Sequence, residues 1–154
     1  MVQILVAEDE PGIADFLSRG LEGEGYGVTV AADGPTAERL ALSSPTDLVV
    51  LDRMLPGRDG IEVLAAIRRV KPTLPVIVVT ARPYESDRVE ADELGATDYM
   101  TKPFVFEELL TCIRACVSDA DRQKRQVEPA GPEVTRREST PRSERKRPRS
   151  SGDT

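Results

Sequence analysis

Histidine and tryptophan are absent from this chain, and cysteine occurs only twice. Cys112 and Cys116 fall one helical turn apart, which leaves their Cβ atoms too distant for an unstrained disulfide. Two cysteines cannot complete a zinc site when no histidine is present to supply the remaining ligands. Two reduced, half-buried thiols are expected instead. Long apolar runs are missing too, and none approaches the length that spans a bilayer. The N-terminus shows no basic start followed by an apolar stretch, so no export signal is read and the cytoplasm is expected.

What is present is unevenly spread. Residues 1–121 hold 11 Lys and Arg against 22 Asp and Glu, a net of −11, while residues 122–154 hold 10 against 5, a net of +5. The 154-residue length suits one domain with a real core. An acidic globular domain over 1–121 and a basic tail over 122–154 follow from this break. The tail has no aromatic residue and few apolar ones beyond Val127, Ala130 and Val134, too little to offset the entropy of ordering, so disorder is expected there.

Within 1–121, short apolar runs alternate five times with helical periodicity. Val2–Ala7, Val28–Ala32, Leu48–Leu51, Val76–Val79 and Tyr99–Thr101 read as strands. Between them Ile13, Phe16, Leu17 and Leu21 share a helical face, as do Ala37, Leu40 and Ala41, and Ile61, Leu64 and Ala65. A fourth helix, Ser86–Leu94, has a weak apolar face, and a fifth carries a stripe of Phe106, Leu109, Leu110, Ile113 and Val117. Pro11 suits the start of the first helix behind a cluster of acids, and Gly23, Gly25 and Gly27 close it. Five βα units imply parallel strands with right-handed crossovers. The first, third and fourth strands are apolar throughout, as strands covered on both faces should be. The expected fold is a doubly wound, five-stranded, flavodoxin-like sheet in strand order 2-1-3-4-5, with the first strand central.

Such sheets gather function beyond the carboxyl ends of their strands. There the chain places Glu8 and Asp9, Asp52, Thr80, and Thr101-Lys102-Pro103. Each has a plainer reading by itself: the first acids can serve a helix dipole, Asp52 can form a turn before Pro56 and Gly57, and a Thr or Lys-Pro at a strand end is commonplace. Their convergence on one edge is harder to dismiss. Two carboxylates 4 Å apart repel by about 4 kcal/mol at an effective dielectric of 20, and Lys102 can neutralise only one of three. A hard, partly hydrated divalent cation such as Mg2+ resolves this best. Asp52, beside such a cation and opposite an ammonium and a hydroxyl, can attack a phosphoryl group and become an acyl phosphate.

At this point the stretches "ILVAEDEP", "LVVLDRMLPGRDG", "VIVVTAR" and "GATDYMTKPF" are similar to the receiver domain of bacterial response regulators, over roughly residues 1–120. The resemblance implies that Asp52 accepts a phosphoryl group from a phosphohistidine of a sensor histidine kinase. It implies Mg2+ bound by Asp9, Asp52 and the Met54 carbonyl, with Glu8 acting through water. Thr80 and Lys102 would contact the phosphate, small Ala81 would leave it accessible, and Lys102-Pro103 would be cis. Thr80 and Tyr99 would form the switch that changes the face built from the fourth helix, fifth strand and fifth helix. Met54 and Arg82, each two residues beyond a site residue, offer no amide or carboxylate to orient water, so slow self-hydrolysis is expected.

Two departures qualify the likeness. "FVFEELLTCIRACVSDADR" resembles the last helix of the OmpR-type subfamily, but Cys112, Ser118 and Asp119 stand where that subfamily is more basic. Asp98, Arg114 and the acids of the fourth helix are left to pair across a symmetric dimer. A winged-helix effector domain is not visible, and "RSERKRPRS" suits at most weak, sequence-indifferent contact with nucleic acid. The leading expectation is a phosphoacceptor switch that controls a partner protein and is not otherwise an enzyme. The rival is a DNA-binding transcription regulator, of truncated winged-helix type or acting through the tail. A phosphohydrolase reading is weakened by Met54, which stands where those enzymes want a second acid.

Overall fold

Alternation of apolar side chains decides how the strands stack, and in the computed structural model they stack as expected. The structure describes residues 1–82 and 84–127. Five strands, β1 (Gln3–Ala7), β2 (Gly27–Ala31), β3 (Leu48–Asp52), β4 (Val76–Thr80) and β5 (Asp98–Thr101), pair in parallel in the order β2-β1-β3-β4-β5. Five helices connect and follow them: α1 (Pro11–Gly23), α2 (Gly34–Ser43), α3 (Gly60–Val70), α4 (Glu85–Glu93) and α5 (Phe106–Val127). Every residue of β3 and β4 is buried, whereas β2 and β5 are half-exposed edges.

The period of two along each strand splits the core into two layers. Leu5, Ala7, Val49, Leu51, Val76 and Val78 face Ala37, Ala41, Leu64, Ile67 and Ala91 on α2, α3 and α4. Ile4, Val6, Leu48, Val50, Ile77 and Val79 face Leu17 and Leu21 of α1 and Leu109, Leu110 and Ile113 of α5. Residues 1–120 form one compact unit. The helix α5 runs on through Val127, into the segment expected as a tail, and residues 128–154 of that tail lie outside the described residues. Among the described residues no helix is long and apolar enough to cross a membrane.

Two helical faces differ from the periodicity reading. Phe16 is 58% exposed, because Gly20, one turn on, lets the Phe106 ring settle where a Cβ would lie 2.7 Å from it. Phe16 then packs edge-on against Phe106, with ring centroids 5.8 Å apart, and never reaches the sheet. On α3 the buried arc takes in Val63 and Ala66, and Ala65 is only half-buried. Cys112 is half-buried and Cys116 buried, both reduced, and burial with a nearby Asp98 pushes the Cys112 thiol up to about 11.

Gly60, at the first turn of α3, is where the chain folds back on the end of β3. Its amide donates to the Arg53 carbonyl at 2.9 Å, and a Cβ there would sit 2.5 Å from the Asp52 carbonyl oxygen and 2.7 Å from Arg53 Cα. These are backbone atoms that cannot step aside. Gly60→Ala is expected to lower stability by about 1–3 kcal/mol in urea denaturation. Gly12→Ala, with nothing within 4 Å, should cause no loss. Equal stability of Gly60→Ala and wild type would refute the close approach.

Candidate functional site

The carboxyl ends of β1, β3, β4 and β5 lie side by side, and the residues that follow or end them meet at one edge. One carboxylate oxygen from each of Glu8, Asp9 and Asp52 lies within 4.8 Å of the others. Glu8 and Asp52 are buried, and Asp9 is exposed. Lys102 reaches in from the end of β5, with Nζ 2.8 Å from Glu8 Oε1 and 2.8 Å from Asp52 Oδ2. The second oxygens are held by the backbone: Glu10 N donates to Glu8 Oε2 at 3.0 Å, and Met54 N donates to Asp52 Oδ1 at 2.9 Å. Glu8 is thus turned to Lys102, and Glu10 at the N-cap of α1 makes no side-chain cap, so the first acids do not simply serve that helix.

The remaining sequence candidates surround this cluster. Thr80 is fully buried at the end of β4, and its Oγ1 accepts from Arg82 N at 3.1 Å, which leaves its own proton to donate. Ala81 beside it is exposed. The Lys102–Pro103 peptide is cis. Met54 lines a cleft of about 380 Å³ together with Asp9, Arg53, Leu55, Asp59 and Arg82. Tyr99 packs on the α2–α3–α4 side of the sheet, and its hydroxyl is buried with no hydrogen-bond partner. Burial, then the charge of Asp87, holds its phenol above the ordinary range.

Charge is out of balance at the cluster, with three carboxylates facing one ammonium. Burial raises the Glu8 carboxyl above its ordinary range, despite the opposing hydrogen bonds from Lys102 and the Glu10 amide. Burial also works against the Lys102 ammonium, but hydrogen bonds to Asp52 and Glu8 outweigh it and the net shift is upward. An all-oxygen donor set with surplus negative charge, open to solvent on the Asp9 side, fits a hard divalent cation.

A further charged group beside the cluster was not anticipated from the sequence. Arg53, only 8% exposed, lies 2.9 Å from Glu90, 3.4 Å from Asp87 and 3.7 Å from Asp59. Its Nε and Nη1 have no acceptor in hydrogen-bond geometry. Asp87 also takes Arg82, at 2.8 Å. Two signals were available. Strand alternation places Arg53 opposite Asp52, toward α4, and Asp87 and Glu90 fall three apart on one helical face. Arg114, considered above for a dimer face, pairs with Glu24 of its own chain at 3.0 Å.

Comparison with known proteins agrees with this geometry. The family model described as the response regulator receiver domain matches residues 4–114. A CheY-like response regulator receiver domain protein from Methanospirillum hungatei is 27% identical, with a TM-score of 0.77, covering 80% of this chain and 98% of that one. The response regulator TrrA from Thermotoga maritima, solved in complex with Mg2+ and BeF, is 36% identical with a TM-score of 0.69, covering 75% and 99%. A response regulator from Burkholderia pseudomallei, solved with a phosphorylated aspartic acid, a calcium ion and citrate, is 26% identical with a TM-score of 0.70, covering 84% and 76%.

Proposed function

The chain belongs to the response regulator receiver domain family, and from that premise we propose that it is a phosphoacceptor switch in which Asp52 takes a phosphoryl group from a phosphohistidine of a sensor histidine kinase. The observation that carries this reading is Asp52 itself, a buried acid at the tip of a central strand, held by Lys102 and by the Met54 amide. Those two bonds, one on each oxygen, fix the carboxylate so that an oxygen can act as the nucleophile, and the phosphorus–nitrogen bond to the donor imidazole breaks as the new phosphorus–oxygen bond forms. Lys102 then lies beside the transferred oxygens, and the Thr80 proton can donate to one of them. Glu8, Asp9, Asp52 and the Met54 carbonyl would hold Mg2+, which when bound supplies further charge stabilisation for the phosphoryl oxygens.

The output follows from what holds Tyr99. With no hydrogen bond anchoring its hydroxyl, the ring is retained by packing and by Arg88, whose guanidinium carbon lies 5.9 Å from the ring centroid. Movement of Thr80 toward the phosphoryl group would open room for Tyr99 to turn, altering the α4-β5-α5 face. A groove of about 450 Å³ runs there, lined by Tyr99, Met100, Phe104, Glu108 and Cys112 among others, and offers a partner protein or a second copy a surface that senses the turn.

Apart from accepting and losing its own phosphoryl group, the domain performs no turnover in this reading. Acetyl phosphate with Mg2+ should add one phosphoryl group by intact-mass spectrometry. After the donor is removed the label should persist far beyond seconds, because Met54 and Arg82 present no group to align water. No label on wild type would sink the switch; a label lost within seconds would sink only the argument from Met54 and Arg82.

A further inference from the structure

Phosphorylation worsens a charge imbalance that the cluster already carries. An acyl phosphate dianion replaces a carboxylate monoanion, and Lys102 is the cluster's only ammonium. Even with the Mg2+ of the receiver reading counted, the acyl phosphate, Glu8 and Asp9 outweigh that ion and Lys102 by one negative charge, and the adjoining cleft is lined by two further cations, Arg53 and Arg82.

Their surroundings differ in a way that selects one. Arg53 is 8% exposed and bridges Asp87, Glu90 and Asp59, so its departure would break three pairings at once. Arg82 is 39% exposed and touches one acid, with Nε 2.8 Å from Asp87 Oδ2 and Nη2 3.4 Å from Oδ1. Asp87, 9% exposed, therefore has two guanidinium partners and keeps Arg53 if Arg82 leaves. Arg82 also follows Thr80 closely, its amide donating to the Thr80 hydroxyl oxygen, so movement at one is felt at the other.

We propose that Arg82 is a second phosphoryl-binding side-chain cation, held aside by Asp87 until the phosphoryl group arrives, and that its transfer from Asp87 to the phosphoryl oxygens removes one of the two guanidinium ties on the first turn of α4. The proposal rests on the receiver reading and deepens it. It makes Asp87 a positioning residue that acts through Arg82, and it gives α4 a direct report of the charge at Asp52.

The test measures the rate constant for phosphoryl uptake from acetyl phosphate, at fixed Mg2+, in wild type, Arg82→Ala, Arg82→Lys, Asp87→Asn and the Arg82→Ala/Asp87→Asn double variant. Loss of a charge-assisted contact should slow Arg82→Ala by roughly tenfold, with partial rescue in Arg82→Lys. Asp87→Asn should speed uptake in the wild-type background and change nothing in the Arg82→Ala background. Acceleration in both backgrounds would show that Asp87 acts merely as a like charge near an anion, and would overturn the proposal. So would Arg82→Ala at the wild-type rate. Circular dichroism confirms that each variant is folded. A wild type that takes no label sinks the receiver reading as well, whereas a labelled wild type with an unaffected Arg82→Ala sinks the Arg82 proposal alone.

Discussion

Asp52→Asn should take up no phosphoryl group from acetyl phosphate and Mg2+, under conditions where wild type gains one. The substitution keeps the shape of the side chain and an oxygen to accept from Met54 N, a bond now 2.9 Å long. It removes the charge that makes the oxygen a nucleophile. The same change relieves the crowding of Glu8, Asp9 and Asp52, whose oxygens lie within 4.8 Å of one another. Lys102 retains Glu8 as its partner. Metal-free Asp52→Asn should therefore be no less stable than wild type in urea denaturation, so lost uptake cannot be put down to misfolding. Mg2+ should raise its stability less than it raises that of wild type, since one ligand charge is gone. A label on Asp52→Asn would place the acceptor elsewhere and end the argument.

Lys102→Met should be damaging in a different way. The methionine preserves most of the stem but withdraws the ammonium from between two buried carboxylates, each 2.8 Å away. Breaking a buried ion pair by removing one partner costs about 3–5 kcal/mol, and the 18% exposure of the Lys102 side chain argues for the lower end. Uptake should also collapse, because no ammonium remains beside the transferred oxygens.

The pH dependence has a definite sign. Lys102 is raised in the folded state, so its contribution is fully present below its unfolded pKa and is lost only as pH rises through the still higher folded value. Wild type therefore carries it undiminished through the neutral range. Glu8 is also raised, so protonation favours the folded state, a contribution present at acid pH and lost as pH rises through the folded value. Without Lys102 the Glu8 carboxyl should rise further, and the deficit of Lys102→Met should shrink as the solution is acidified. Added Mg2+ should likewise stabilise the variant more than wild type, since a competing cation has gone. A deficit that is constant in both pH and Mg2+ would mean that Lys102 acts through packing of its stem alone.

The layers of this protein were legible because the strand and helix periods differ and each was written plainly. Leu48 to Leu51 and Val76 to Val79 could only be covered on both faces, and the structure buries all of them. Strand-end residues were legible for the same reason, since a parallel sheet brings its carboxyl ends to one edge whatever the helices contain. Phe16 and Arg53 were not legible in this way. Phe16 obeyed its helical period but was turned outward by a glycine one turn on and a phenylalanine from the far end of the domain. Strand alternation gives the direction of Arg53, but only the packing of α4 over it makes it a buried cation.

The amino-acid order alone therefore determined the five parallel strands, which three of them are covered on both faces and the list of acids, hydroxyl and ammonium at one edge, because these follow from local periodicity and connection handedness. Only the tertiary structure decided which charges touch: that Lys102 spans Glu8 and Asp52, that Asp87 holds two arginines, and that Arg114 is taken by Glu24. The reason is physical. Periodicity sets which way a side chain faces, while an ion pair is decided by distances of a few ångströms between residues far apart in the chain, and those exist only once the layers have packed.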